Sequence, residues 1–352
     1  MVTAPLTPVH LGVSARTSGP LVRMLAENPP SDVPSALQTA VAWGAHAPSP
    51  GTGGTRELWE ALATVAARDL GVARAIEPHL DALAILDQAG ETSVADDRTW
   101  GVFAAEGGDD PLVATKSSDD WKTGTGGWLL NGTKPWCSLA AHLSDALVSA
   151  HVGGERRLFA VSLSAEGVRA DDDAWHARGL AEIPSGPVRF DAVPARPVGE
   201  PGWYLSRPGF AWGGIGVAAC WFGGAVGIAR TVYAKAARGD AGPFLLMNLG
   251  AIDELIESAR RALEEAARLV DAGEATGEAG SLLASRVRAT VARAGEEVVD
   301  RAGHALGPAP LALDAEHGKR VADLQLYLRQ HHAERDQASL GAALLVGTGA
   351  PW

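Results

Sequence analysis

A short segment near the middle of the chain carries side chains that could contact both the face and the polar edge of a flat ligand. The segment reads NGTKPWCS, from Asn131 to Ser138. Trp136 offers a large apolar ring at little cost in side-chain entropy, and the hydroxyl of Ser138 can donate a hydrogen bond. The alternative is that Trp136 belongs to the core of a β domain and that Ser138 is a turn residue.

A second candidate group is the polar run RQHHAERD, from Arg329 to Asp336. The pKa of an unperturbed imidazole is about 6.5, so His331 or His332 could act as a general base near neutral pH. If the run is helical, Glu334 lies about one turn from His331 and could orient its ring. The alternative is a polar stretch that faces solvent or another subunit. Adjacent histidines point about 100° apart on a helix and no third ligand is evident, which predicts no metal site.

The composition argues against several other classes of function. The chain has 352 residues and a formal net charge of −12, so its field repels nucleic acid and anionic lipid. Its two cysteines, Cys137 and Cys220, are too few for the disulfide framework of a small secreted protein. The N-terminus has no basic region followed by an apolar run, which indicates a cytoplasmic protein. The sequence contains no P-loop, no nucleophile elbow and no Cys-x-x-Cys motif.

The hydrophobic pattern divides the chain into three parts. Residues 55–90 repeat apolar side chains about every 3.6 residues, which is typical of helices. Between about residues 100 and 199, short apolar runs alternate with Gly, Asp and Pro, which predicts strands. From about residue 207 onward the pattern is helical again. We therefore predict an α+β fold that is mostly α, with an N-terminal helical domain (1–98), a small middle β domain (99–200) and a C-terminal four-helix bundle (201–352).

Local signals refine this outline. Asn131-Gly132 follows an apolar pair and predicts a tight turn. Residues 315–347 are predicted as a single helix, on which His331 and Glu334 would lie one turn apart. The predicted strands are WGVFAA, GGWLLNG, DALVSAHV, RRLFAVSLS and GPVRFDAV.

The uncharged segment Pro208–Ala229 is long enough to span a bilayer as a helix. It is rich in glycine, and no second apolar span accompanies it. These features favour a helix buried within the bundle, with glycines where backbones approach closely, over a membrane span. We expect no membrane association.

The order of helices, strands and helices, together with several short motifs, resembles the acyl-CoA dehydrogenase superfamily. The segment Asn131–Ser138 is similar to the family's N-G-x-K-x-W-(I/C)-(T/S) motif. A W-x-x-x-G-L motif at Trp175–Leu180 and the run VRFDAVPA at 188–195 follow it. The agreement extends over about residues 55 to 345.

The resemblance implies FAD as the cofactor and assigns roles to individual residues. Trp136 would pack against the isoalloxazine ring, and Ser138 would donate a hydrogen bond to flavin N5. Gly307 lies in the segment HALGPAP, which matches the family's glycine-rich loop on the adenosine side of FAD. The other implied flavin-binding residues are Phe103, Ala104, Ala105 and Cys137.

The chain also departs from the family pattern. Asp109 and Asp110 stand where the family has a Gly-Ser-Asp run near the pyrophosphate, and the family's R-x-x-F-G motif is lost near Arg238. The position of the family's catalytic Glu falls at His331. The resemblance therefore makes His331 the candidate base, with His332 and Glu334 beside it. The alternative base is Glu254 or Glu257, because some members of the family place it on another helix.

The resemblance implies oxidation of an acyl thioester to its α,β-unsaturated form, by proton abstraction and hydride transfer to flavin N5. One alternative is a flavin-dependent monooxygenase of the same fold, which uses reduced flavin and oxygen and places a His near the flavin. A second alternative is a non-catalytic paralogue that acts as a subunit partner. The family's assembly implies a homodimer or homotetramer formed through the C-terminal bundle.

Overall fold

The computed structural model describes residues 6–12, 18–91, 97–117, 127–239 and 241–346. Helices precede and follow a region of strands, as the predicted mostly helical α+β class requires. The domain boundaries at 98 and 200 stay a prediction. The helices are α1 (Pro20–Glu27), α2 (Val33–Gly44), α3 (Thr55–Arg68), α4 (Leu70–Gln88), α5 (Trp203–Ser206), α6 (Pro208–Ala236), α7 (Pro243–Asp271), α8 (Gly277–Leu306), α9 (Pro308–Leu313), α10 (Ala315–Tyr327) and α11 (Glu334–Leu344).

The strands form one sheet whose pairing closes on itself. From β4 the order runs through β2, β3, β7 and β5 and returns to β4, while β1 pairs with β4 and β6 with β7. The fully buried side chains of Leu130, Val148, Phe159 and Val193 fill its interior. Each of the five predicted strands is present, and β2 and β6 are additional. The strands are β1 (Trp100–Phe103), β2 (Val113–Lys116), β3 (Trp128–Lys134), β4 (Asp145–Val152), β5 (Glu155–Ser162), β6 (Val168–Ala170) and β7 (Val188–Val198).

The predicted tight turn at Asn131-Gly132 is wrong, because β3 continues through both residues. The register against β7 shifts between Leu130 and Gly132, which marks a β-bulge. Gly132 has φ +116, and a Cβ there would lie 2.6 Å from the carbonyl oxygen of Pro111. The Oδ1 atom of Asn131 accepts a hydrogen bond from the backbone N–H of Ala192 at 2.8 Å. The Asn-Gly pair therefore bends a strand instead of ending it.

The uncharged segment forms most of α6, and its prediction as a buried core helix is confirmed. A Cβ at Gly223 would lie 2.2 Å from the carbonyl oxygen of Ala63, and one at Gly227 would lie 2.5 Å from that of Ala67. These glycines let α6 pack directly against the backbone of α3. Among the described helices α6 alone is long and apolar enough to cross a bilayer, but 72% of its most apolar window is buried inside the protein.

The prediction of a single helix over residues 315–347 is wrong. Helix α10 ends at Tyr327, a 3₁₀ turn covers Leu328–Gln330, and α11 begins only at Glu334. Ala333 has φ +44, which no α-helix accommodates. An Asp336 carboxylate oxygen accepts a hydrogen bond from the backbone N–H of His332 at 2.9 Å, and this bond stabilises the break between the two helices. His331 and His332 therefore lie in a loop.

Helix α4 links the helical and strand regions. The helices on both sides of the strands share one hydrophobic core, which includes Trp59 and Trp221. A separate cluster joins α4 to the sheet and includes Ile85 and Trp100. The Nδ1 atom of His79 on α4 accepts the backbone N–H of Trp100 at 3.2 Å, and burial lowers the pKa of His79 to about 4. A neutral imidazole thus fastens α4 to β1.

A partly buried ion cluster, here called the Lys319 cluster, consists of Asp69, Glu182, Lys319 and Asp323. The Lys319 ammonium lies 3.1 Å from Asp69, 2.7 Å from Glu182 and 2.6 Å from Asp323. The second oxygen of Asp323 accepts the backbone N–H of Leu180, in the Trp175–Leu180 motif, at 2.6 Å. The three carboxylates are close enough to hold a metal ion, but the ammonium of Lys319 already bonds each of them. The cluster joins α4, the loop before β7 and α10.

Candidate flavin site

The loop that carries Trp136 begins at a buried lysine. Lys134 is 2% exposed, and its ammonium bonds Glu106 and Ser149, both at 2.9 Å. Burial lowers the pKa of Lys134, and the bond to Glu106 opposes that shift. Glu106 also lies 3.0 Å from the Nε2 atom of His151. The lysine of the sequence motif thus anchors the loop to β4 and to the segment after β1.

Trp136 presents its ring to the outside of the sheet. Its side chain is 62% exposed, so the alternative that it belongs to the β core is wrong. It stands edge-on to Trp175, with ring centroids 6.4 Å apart and an interplanar angle of 89°. The Trp175 Nε1 atom donates to the carbonyl of Leu180 at 3.0 Å, which fixes that ring. A supported indole with a free face can cover one side of a flat ligand.

The backbone of the loop is held in a strained conformation. Trp136 and Leu139 both have positive φ, at 60° and 59°. The Cys137 N–H donates to Gly186 at 3.0 Å, and the Leu139 N–H donates to Pro184 at 2.7 Å. Such strain costs about 1–3 kcal/mol per residue and is concentrated at functional sites.

Ser138 points inward from this loop. Its hydroxyl lies 2.7 Å from the hydroxyl of Ser185 and accepts a hydrogen bond from Nη2 of Arg74 at 2.8 Å. The Nη1 atom of Arg74 is buried and has no hydrogen-bond partner within the described part of the chain. Cys137, in contrast, is buried, and burial raises the pKa of its thiol to about 12, which makes it a packing residue. Ser138 therefore stands beside a guanidinium that can still donate to a ligand.

The predicted flavin-binding residues Phe103, Ala104 and Ala105 lie at the end of β1 and directly after it, and their flavin contacts stay a prediction. Phe103 is 2% exposed and belongs to the core of the sheet, while Ala104 and Ala105 are half-buried. Asp110 accepts the hydroxyl of Thr133 at 3.0 Å. Asp109 and Asp110 are both exposed, so the Asp110–Thr133 bond lies at the surface.

The interior next to Ser138 contains charged residues that the sequence did not single out. The group called here the Arg288 cluster consists of Arg74, Glu77, Trp221, Arg288 and Tyr327. The Cζ atom of Arg74 lies 5.8 Å from the ring centroid of Tyr327, and that of Arg288 lies 4.6 Å from the ring centroid of Trp221. Burial and then the charge of Asp81 raise the pKa of Glu77 to about 7, although Arg74 and Arg288 oppose this. Helices α4, α6, α8 and α10 together build the cluster.

His331 lies against the Arg288 cluster. It is 8% exposed, and its ring centroid lies 6.4 Å from that of Trp221. Burial lowers the pKa of His331, and Asp336, 3.8 Å from its Nε2 atom, partly opposes the shift. Asp336 therefore takes the place expected of Glu334, which is exposed at the start of α11. His332 is exposed, with its Nδ1 atom 3.4 Å from Asp336.

The remaining candidates from the sequence lie elsewhere. Gly307 ends α8 with φ +70 and is half-buried, directly before α9. Glu257 bonds Arg260 at 2.9 Å, and that bond lowers its pKa, which makes it a weaker base. Glu254 is exposed on α7. The catalytic and adenosine-side roles of these residues stay predictions.

Comparison of the whole chain with known proteins shows which solved structures share its fold. No protein-family model matches the chain, and no curated protein matches it in sequence. The structure of KijD3, in complex with FMN and dTDP-3-amino-2,3,6-trideoxy-4-keto-3-methyl-D-glucose, matches with a TM-score of 0.75 and 19% identity over 95% of both chains. Dibenzothiophene monooxygenase TdsC from Paenibacillus sp. A11-2 matches with a TM-score of 0.72 and 18% identity, over 91% of this chain and 90% of that one.

Glutaryl-CoA dehydrogenase from Mycobacterium smegmatis matches equally well, with a TM-score of 0.74 and 18% identity over 94% of both chains. Oxygenating and dehydrogenating enzymes thus share this architecture, so overall similarity does not separate the two reactions. The chain has the acyl-CoA dehydrogenase fold, which confirms the resemblance inferred from its sequence.

Proposed function

We propose that the chain is a flavin-dependent monooxygenase that binds its flavin between the Trp136 loop and α4. The observation that carries the proposal is the exposed ring of Trp136 two residues before Ser138, whose hydroxyl is bonded to Arg74. TdsC, which shares the fold, has been crystallised with FMN and indole. A planar ring laid on Trp136 would bring its polar edge to Ser138 and Arg74.

The side chains fit an isoalloxazine ring. Trp136 supplies an apolar face, and the unpartnered Nη1 atom of Arg74 supplies a donor for an acceptor on the ring edge. A bound and reduced flavin supplies the electrons that activate oxygen for insertion into a substrate. Ser138 would orient the ring edge, and Ser185 and Arg74 hold the hydroxyl of Ser138 in place.

The state of His331 favours oxygenation over dehydrogenation. Removal of a proton from carbon next to a thioester requires a base, and base strength falls as the pKa falls. Burial lowers the pKa of His331, so its imidazole is neutral at pH 7 and is a weaker base than an ordinary histidine. A neutral imidazole can instead hold or pass on a proton through Nε2, next to the Asp336 carboxylate.

Dehydrogenation of an acyl thioester with FAD is the second candidate, and Glu77 is the observation that favours it. Its carboxyl is buried close to Arg74, and its pKa of about 7 leaves roughly half of it ionised at neutral pH. In that case Glu77, not His331, would be the base. Bleaching of the flavin by an acyl-CoA under anaerobic conditions would identify this reaction, since oxygenation requires oxygen.

We also infer that two copies of the chain associate through the C-terminal helices. Phe244, Leu246 and Met247, in the first turn of α7, are 77%, 53% and 55% exposed. A second copy of the chain would cover this apolar surface. Light scattering should give a dimer or tetramer, and Phe244→Asp should yield a monomer. A wild-type monomer would contradict this.

The proposed function is tested by supplying reduced FMN from a separate reductase and measuring oxygen uptake and flavin binding. Ser138→Ala should weaken flavin binding by about 10-fold through the lost hydrogen bond. Ser164→Ala removes an exposed hydroxyl in the same region and should have no effect. His331→Gln should lower the rate of oxygen uptake, measured with the reductase present, by about 100-fold while the flavin stays bound.

A protein that binds neither FMN nor FAD would contradict the proposal and favour the non-catalytic paralogue. A protein that binds flavin but is reduced by acyl-CoA without oxygen would favour the second candidate. Comparison of FMN and FAD in the same titration also tests the expectation of FAD, whose adenosine would lie near Gly307.

A further inference from the structure

Arg288 carries a mostly buried positive charge that has no ion pair among the described residues. Its Nη1 atom donates to the carbonyl of Gly214 at 2.6 Å, its Nη2 atom donates to that of Gln330 at 3.4 Å, and its guanidinium covers Trp221. No carboxylate of the described residues forms an ion pair with Arg288, and the ion pairs of Asp336 are with His331 and His332. Burial lowers the pKa of Arg288 despite the opposing charges of Asp336 and Glu77. A buried charge of this kind is costly without an anionic partner.

The neighbours of Arg288 are donors as well. Trp221 is fully buried, and its Nε1 atom has no acceptor among the described residues. Glu77 is buried beside the same guanidinium, and below about pH 7 its carboxyl group carries a proton that it can donate. A ligand that fits these groups must bring acceptor atoms, and a negative charge suits them best.

A cleft lies about one helical turn from Arg288 along α6 and α8. It has a volume of about 760 Å³, which is in the range of small-molecule sites. Ala211 of α6 and Ser285 of α8 form part of its wall, one helical turn before Gly214 and Arg288, which bond each other. The rest of the wall is largely apolar and includes Leu205, Phe210, Leu282, Leu344 and Val346, while Arg207 and Glu278 are its charged residues.

We propose that Arg288, together with the Nε1–H of Trp221, binds the carboxylate of a small organic acid whose apolar body lies in this cleft. A planar guanidinium pairs with a carboxylate through two parallel hydrogen bonds, which a neutral amide cannot reproduce. The assignment of this acid as the substrate rests on the proposed function. Binding of the acid does not, because Arg288 and Trp221 are separate from Trp136 and Ser138.

Calorimetric titration with 3-phenylpropionate and with its neutral amide tests this inference. Both ligands are added to the flavin-loaded and to the flavin-free protein. The wild type should bind the acid about 10-fold or more tightly than the amide. Arg288→Gln should lose that preference and leave flavin binding unchanged. Arg286→Gln, an exposed arginine on the same helix, should behave as the wild type.

Equal affinities for acid and amide, or undiminished acid binding by Arg288→Gln, would overturn the inference. If Arg288→Gln does not fold, the comparison of acid with amide in the wild type decides alone. A protein that binds the acid but no flavin would refute the proposed function and leave this site standing. A protein that binds flavin but shows no preference between acid and amide would refute the acid site and leave the proposed function standing.

Discussion

The Lys319 cluster and the Arg288 cluster both bring charged side chains together between helices, but only the first has a partner for each of its charges. Lys319 has three carboxylates within 3.1 Å, and one of them, Asp323, also accepts a backbone N–H. Arg288 has the backbone carbonyls of Gly214 and Gln330 and an aromatic ring as its partners, while Trp221 lacks an acceptor among the described residues. The first cluster therefore stabilises the protein without a ligand. The second lacks a counterion and an acceptor, which a ligand would have to supply.

This difference separates a structural role from a functional one on physical grounds. Removing one member of a satisfied buried cluster leaves its partners charged and unpaired, which is strongly destabilising. Removing a charge that lacks a close counterion relieves a penalty that the folded protein already bears. The two clusters should therefore respond to substitution in different ways.

The largest effect is expected at Lys319. Lys319→Met leaves Asp69, Glu182 and the 1% exposed Asp323 without a counterion. Loss of a fully buried partner costs about 3–5 kcal/mol, and we expect about 3 kcal/mol because the Lys319 side chain is 37% exposed. Urea unfolding at pH 7 measures the change.

Two controls sharpen this prediction. Lys235→Met removes an exposed lysine of α6 and should change the unfolding free energy by less than about 0.5 kcal/mol. The loss at Lys319 should also shrink at low pH, because burial raises the pKa of Asp323 and a protonated Asp323 no longer needs a counterion. A loss below about 1 kcal/mol at pH 7 would show that water, and not Lys319, balances these carboxylates.

A smaller effect of opposite sign is expected at Glu77. The pKa of its carboxyl is about 7 in the folded protein, against an ordinary value of 4.5. The folded state thus holds this proton more tightly than the unfolded state, and stability falls as the pH rises from 4.5 to 7. Glu77→Gln removes this loss, so the variant should be more stable than the wild type by about 2 kcal/mol at pH 8.

Urea unfolding at pH 4.5 and at pH 8 measures this difference, which should vanish at the lower pH. The shift of Glu77 would amount to roughly 3 kcal/mol in full, from about 1.36 kcal/mol per unit of pKa, and structural relaxation reduces it. Equal stability of the two proteins at pH 8 would show that Glu77 is ionised there at no cost. The titratable and charged groups that act on Glu77, or on which it acts, are Arg74, Asp81, Tyr204, Cys220, Arg288 and Tyr327.

The sequence predicted the elements of this fold better than its junctions. Alternation and turn residues located five strands, and uninterrupted apolar composition located α6. The breaks were missed because they depend on contacts made only after folding. The bulge at Gly132 lies where the backbone of Pro111 passes close by. The helix break at Ala333 is stabilised by the hydrogen bond from the backbone N–H of His332 to Asp336.

The candidate site was also predicted in part. The spacing of Trp136 and Ser138 is local in sequence, so a motif could reveal it. The partners of Ser138 come from Arg74 on α4 and from Ser185 before β7, which no local pattern connects. One signal was present, since Arg74 and Glu77 interrupt an apolar helix face one turn apart. Charged residues on a buried face are uncommon and often functional.

The smallest change in stability is expected at Arg288, although its effect on ligand binding is large. Arg288→Gln loses the hydrogen bond to Gly214 and the contact with Trp221, but it also removes a buried charge that lacks an ion pair. These contributions oppose each other, so we expect a loss of about 1 kcal/mol or less in urea unfolding at pH 7. A loss as large as that of Lys319→Met would mean that the protein already compensates Arg288. The contrast between the two clusters would then no longer identify a ligand site.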